Sequence, residues 1–208
     1  SSAAYEVLIG TIINHLFFDA KVTQAEVAQI GQYAENVFFG KPCGLMDQTA
    51  SAVGNLVTID FFDKEHPVIK PVAFDFASCG HALCIIDSGA DHADLTDEYA
   101  AIPGEIKAVC ACFGKEVLTQ IDEKEFFAAI PQLRQKCGDR AVLRAVHFYQ
   151  ENTRVPKQVA ALEQGDFETF LKLIKESGYS SYMYLQNVIP AGYKEHQDVA
   201  LALAMCEH

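Results

Sequence analysis

Three short stretches combine residue types that can do chemistry with a setting that would let them. Ser1-Ser2-Ala3-Ala4-Tyr5-Glu6 begins a run with helical spacing. The start of a helix presents unpaired N–H groups and the positive end of the dipole, so Ser1 and Ser2 there can meet phosphate oxygens or a magnesium ion. The small Ala3 and Ala4 allow close approach. The same serines also make ordinary helix caps.

Gly40-Lys41-Pro42-Cys43-Gly44-Leu45-Met46-Asp47-Gln48 reads as a glycine-bounded loop feeding a helix. Asp47 falls in the first turn, where the dipole favours a carboxylate. Such a group can accept the proton of a hydroxyl that attacks a phosphoryl group, or it can simply satisfy backbone N–H groups. Glu35 lies just before the loop, at the end of the preceding helix. It can complete a Mg²⁺ site, since that ion takes one or two carboxylates plus phosphates, or stand as a solvated helix charge.

The elements that must position these groups follow from periodicity. Val7, Leu8, Ile12, Leu16 and Phe17 recur at helical spacing from Ser2 to about Ala20. Thr23 and Glu26 form a capping-box signature ahead of a second helix with Val27, Ile30, Ala34 and Val37 on one stripe. A third helix starts at Leu45. Residues 55–62, 68–76 and 81–87 are rich in β-branched and aromatic residues and predict strands. After Asp94 the pattern is helical: 96–113, interrupted or started near Pro103, then 123–136, 140–164 with a bend at Pro156, 166–176 and 197–208. Three helices, three strands and a helical remainder make an α+β chain with a boundary near Gly80, giving units 1–80 and 81–208.

Composition narrows the function class. A formal charge of −12 and the lack of a basic stripe argue against a nucleic-acid partner. No apolar run approaches the roughly 18 residues needed to span a bilayer, and no signal peptide opens the chain. The cysteines number seven, an odd count without regular spacing, which predicts free thiols in a reducing compartment. Cys110 and Cys112 sit too close on one helix to chelate zinc together. The chain starts without Met and is still helical at His208, which reads as an internal fragment of a longer protein.

Ala34-Glu35-Asn36 through Pro42-Cys43-Gly44-Leu45-Met46-Asp47-Gln48 resembles, nearly residue for residue, the stretch around the catalytic aspartate of galactokinases in the GHMP kinase superfamily. Ser1 to Glu6 is similar to the tail of that family's phosphate loop. The resemblance covers essentially the whole chain, more weakly after Gly80. It implies a GHMP kinase fold, with 1–80 from the N-terminal domain and 81–208 from an incomplete C-terminal one. It also implies ATP-dependent phosphorylation of galactose at the anomeric hydroxyl in a cytoplasmic protein, monomeric at full length.

By the same resemblance Asp47 would be the base, and Gly44, Asp47 and Tyr99 would contact the sugar. Ser1 and Ser2 would hold ATP, with Ser2 and Glu35 on Mg²⁺. His92 and Tyr99 keep the spacing of a His…Glu-Tyr element, and Arg144 to Val155, with Glu151, Asn152, Arg154 and Val155 inside it, resembles a structural stretch of the family.

The chain departs from the family pattern at Asp91, where an arginine is usual, at Ala100-Ala101-Ile102, which replace paired arginines, and at 177–182. These departures point to a divergent bacterial-type subgroup. They leave open a kinase for another monosaccharide such as N-acetylgalactosamine, or a sugar sensor without turnover. The family's N-terminal segment, with its galactose-signature Glu-His and the arginine beside the base, is missing from the 208 residues, as is the glycine-rich loop near the C-terminus. The isolated chain is therefore expected to be inactive.

Overall fold

The computed structural model describes residues 2–40, 43–63, 66–89 and 95–207, apart from the side chains of Ser2 and Thr96. It divides into two compact units, Ser1–Phe74 and Asp75–His208. Two candidate residues, Ser1 and His92, lie outside the described residues, as does the side chain of Ser2.

The first unit is built from three helices and a hairpin: α1 (Ser2–Phe17), α2 (Gln24–Tyr33), α3 (Met46–Val53), β1 (Val57–Asp60) and β2 (Val68–Pro71). The predicted capping box starts α2: Thr23 Oγ1 accepts from Glu26 N–H, and the Glu26 carboxylate accepts from Thr23 N–H. Asn14 closes the α1–α2 turn by donating to the Val22 carbonyl and accepting from Val22 N–H. Gly10 lets α1 come close to α2, because a Cβ there would sit 3.1 Å from Val27 Cγ1. The strands pair antiparallel with Val57 opposite Pro71 and Asp60 opposite Val68.

The predicted apolar stripe of α1 is only partly buried. Val7 is buried with Ala3, one turn earlier on the same face, whereas Leu8, Ile12, Leu16 and Phe17 are exposed. A helix apolar on nearly every face does not announce which side meets its neighbours. On α2, Val27 and Ala28 are buried while Ile30 is exposed, as is Val37 beyond its end.

The second unit is helical: α4 (Thr96–Cys112), α5 (Glu123–Cys137), α6 (Asp139–Glu163), α7 (Phe167–Ser180) and α8 (Asp198–Glu207). Asp122 caps α5 by accepting from Lys124 and Glu125 N–H, and Asp166 caps α7 by accepting from Thr169 N–H. Gly138, at φ +83°, ends α5 and starts α6 in a single residue, a backbone position that a side chain would strain. Val109, Leu118, Phe126, Leu133, Ala145 and Tyr149 anchor the core. The Tyr149 ring packs 5.0 Å from Phe126, and its hydroxyl donates to the carbonyls of Leu118 and Ile121.

Two sequence expectations are corrected. Residues 81–87 are not a strand: the described sheet holds only β1 and β2, and Leu83 and Ile85 are 97% and 95% exposed. β-propensity alone makes no strand without an edge to pair with. Pro103 does not break α4, which runs through it as one helix. The ring removes the N–H that would bond the Tyr99 carbonyl and crowds that carbonyl, and the helix is held beyond it by the Glu105 ties to α6 and by buried Val109 and Cys110.

In the same way α6 continues through Pro156. No described helix is long and apolar enough to cross a membrane.

Candidate functional site

Of the groups proposed to act, Glu35, Gly44 and Asp47 lie in the first unit and Tyr99 in the second. α2 does not stop at Tyr33 but continues into a π turn, Ala34–Phe38, that carries Glu35. Wider i→i+5 turns of this kind re-aim side chains and recur at functional sites. Glu35 is only 4% exposed, so the solvated-charge reading is wrong. Burying a carboxylate costs several kcal/mol unless it is paired, on the order of the full desolvation penalty. It therefore marks a place where charge is compensated.

The loop after this turn is tied back to it. Asn36 accepts from Cys43 N–H at 2.8 Å, and Gln32 and Asn36 both donate to the Cys43 carbonyl. The Cys43 thiol meets the Glu35 carboxylate and accepts from Gln48 Nε2 at 3.6 Å. Burial first, then the hydrogen bond to Glu35 and the charges of Glu35 and Glu6, push this thiol up to about 11, so it stays protonated and donates. Loop and α3 are thereby set against Glu35 before any ligand arrives.

Asp47 lies in the first turn of α3 and is exposed, flanked by exposed Met46 and fully buried Gln48. Gly44 is exposed shortly before it, with nothing within 4 Å of where its Cβ would stand. The arrangement holds one carboxylate inside, at Glu35, and presents another outside, at Asp47, at the start of a helix that follows the bare backbone of Gly44. The structure brings Glu35, Cys43, Gly44 and Asp47 together in one unit.

Glu6 belongs to the same cluster and carries no assigned role in the sequence reading. Its carboxylate lies 3.5 Å from the position a Gly31 Cβ would take, beside Gln48, and its charge reaches Cys43. The available signal was its spacing: Glu6 stands four residues after Ser2, on the same helix face. Gln48 Oε1 and Thr49 Oγ1 are buried with no hydrogen-bond partner among the described residues.

Buried oxygens around two carboxylates suit a hard cation. Among the described residues no three or more His, Cys, Asp or Glu side chains gather to hold one. A Mg²⁺ ion here would draw its remaining ligands from phosphate and water.

Tyr99 lies in the second unit, in the first turn of α4, and is 62% exposed. Its neighbour Glu98 accepts from Ala191 N–H at 3.3 Å, which ties the start of α4 to the loop before α8. Further along α4, Glu105 binds two arginines of α6: Arg140 Nε donates at 2.9 Å and Arg144 Nη1 at 3.0 Å. The Arg144 side chain is fully buried and also donates to the Leu185 carbonyl. Glu151 pairs with Arg154 and accepts from Ser177, tying α6 to α7.

The family model "GHMP kinases N terminal domain" matches residues 1–55, which span α1, the Glu35 turn and the Asp47 helix. A galactokinase from Glaesserella parasuis serovar 5 is 34% identical over 177 residues, covering 85% of this chain and 45% of that protein. A galactokinase from Thermotoga petrophila is 30% identical over 198 residues, covering 94% and 51%.

Among solved structures, Lactococcus lactis galactokinase complexed with galactose superposes with a TM-score of 0.64 at 25% identity, covering 88% of this chain and 47% of that one. The chain thus spans about half the length of the curated relatives it matches. The α+β architecture is the GHMP kinase fold.

Proposed function

Because the chain belongs to the GHMP kinase family, we propose that the protein is a galactokinase, transferring the γ-phosphoryl group of ATP to the anomeric hydroxyl of galactose. The observation that carries this reading is the pairing of a buried Glu35 with an exposed Asp47, across a loop pre-set by Gln32, Asn36 and Cys43. Asp47 accepts the hydroxyl proton as the sugar oxygen attacks phosphorus. The bond from phosphorus to the β–γ bridging oxygen breaks, and ADP leaves.

Gly44 and Tyr99 position the sugar. The Ser1–Ser2 helix start binds phosphate oxygens, since its N–H groups have no intrahelical acceptors. Glu35 and Ser2 would hold Mg²⁺, which when bound neutralises charge on the transferring phosphoryl oxygens. Positioning and electrostatics supply the acceleration, because the chemistry itself demands little covalent participation by the protein.

The reading is tested by measuring ADP release from the full-length protein with a panel of monosaccharides that includes N-acetylgalactosamine. Galactose dependence supports it, preference for another sugar moves the specificity, and sugar binding without turnover favours the sensor. In the same assay Tyr99→Ala should raise KM for galactose about 3–10-fold, the cost of a lost hydrogen bond and ring contact, with KM for ATP nearly unchanged. Equal effects on both substrates would return Tyr99 to a structural role. The 208 residues alone, about half the length of the matched relatives, should give no galactose-dependent ADP release above background. Robust turnover by the isolated chain would show that catalysis needs no segment beyond it.

A further inference from the structure

The last residues of α4 and α5, Cys112 and Cys137, bring two free thiols together from positions 25 residues apart. Their sulfurs are 3.4 Å apart, in hydrogen-bond contact, and the Cys137 thiol also reaches the Ala108 carbonyl at 3.5 Å. Both helices are held from below by the packed core of Val109, Cys110 and Leu133, so the contact rests on a rigid base. A cavity of about 400 Å³ opens beside the pair, lined by Cys112, Phe113, Glu125, Gln132 and Lys136. Neither thiol is fully buried.

We propose that Cys112 and Cys137 form a reversible redox pair, oxidised to an intramolecular disulfide by a low-molecular-weight disulfide that enters through this cavity. Two adjacent features carry the assignment: a pre-formed sulfur–sulfur contact and an open approach to one of its partners. The other cysteines lack that combination. Cys110 is sealed in the core, while Cys84 and Cys206 are exposed.

The order of steps follows from the setting. Cys112 lines the cavity, so its thiolate attacks one sulfur of the incoming disulfide, forming a mixed disulfide and releasing one thiol. Cys137, alongside, then attacks the Cys112 sulfur and releases the second thiol. The two protein thiols lose two electrons and two protons, and the small disulfide gains them as two thiols. Burial and contact with Cys112 raise Cys137 to about 11, opposed by Lys136, which suits a resolving thiol that waits for its neighbour rather than reacting first. Closing the bond needs the sulfurs to move from 3.4 Å to about 2.05 Å. The product staples the ends of α4 and α5.

Incubating the protein with oxidised glutathione, alkylating the remaining thiols and mapping peptides by mass spectrometry tests this. The expected result is a Cys112–Cys137 crosslinked peptide lacking two hydrogens, reversed by dithiothreitol. Cys137→Ser should trap glutathione on Cys112 instead. If both thiols in the unmodified sequence remain open to alkylation, or each ends as a separate glutathione adduct with no crosslink, the proposal is overturned. The wild-type mapping stands even if a variant folds poorly.

Discussion

Asp47→Asn in the full-length protein is expected to lower kcat by about 10²–10⁴-fold while KM for ATP stays nearly constant. The substitution keeps the size and most of the hydrogen-bonding shape but cannot take the proton of the attacking hydroxyl. Asp47 is exposed on the first turn of α3, and the buried neighbours that fold this turn are Leu45, Gln48 and Thr49. The variant should therefore fold like the parent, and the loss should lie in the chemical step. Steady-state kinetics with both substrates varied, alongside a thermal melt, separates the cases. Near-normal turnover would remove Asp47 from the mechanism.

The largest effect on stability should come from Arg144→Ala. Its guanidinium has no solvent exposure, donates to Glu105 on α4 and to the Leu185 carbonyl, and thereby links three segments of the second unit. Burial pulls its pKa down, against the pull of Glu105, which shows how much the pair must offset. Truncation leaves a cavity, an unmet carbonyl and a carboxylate with Arg140 as its remaining arginine. A loss of about 3–5 kcal/mol is expected, the range for breaking a buried ion pair. Arg134, paired with Asp139 in the open, is the control: Arg134→Ala should leave the urea midpoint almost unmoved. Equal midpoint shifts for the two variants would show that burial does not set the strength of these pairs.

Local signals were the ones readable in the sequence. The Thr23–Glu26 capping box is a contact between residues three apart, and it forms as expected. The run from Ala34 to Gln48 was legible because a dense, unusual string of residue types carries its own identity. Its geometry was not. A π turn has no compositional signature, so nothing in the string told that Glu35 would be buried against Cys43 rather than solvated.

The misses are non-local. Residues 81–87 have strand composition, but pairing depends on an edge the pattern cannot specify. Leu8 and Ile12 match the helical period as well as Val7 does, yet only Val7 is buried, because nearly every face of α1 is apolar. Arg144 lay in a stretch read as structural, but its partner Glu105 is 39 positions away, beyond any periodicity argument.

The claim that Asp47 faces the reacting hydroxyl is tested most directly by a crystal structure of the full-length protein with galactose, a non-hydrolysable ATP analogue and Mg²⁺. The prediction is an Asp47 carboxylate oxygen within about 3.2 Å of the anomeric hydroxyl, and a Glu35 oxygen on the metal. A sugar bound with that hydroxyl turned away from Asp47, or bound at a site that Gly44 and Asp47 do not line, would contradict it.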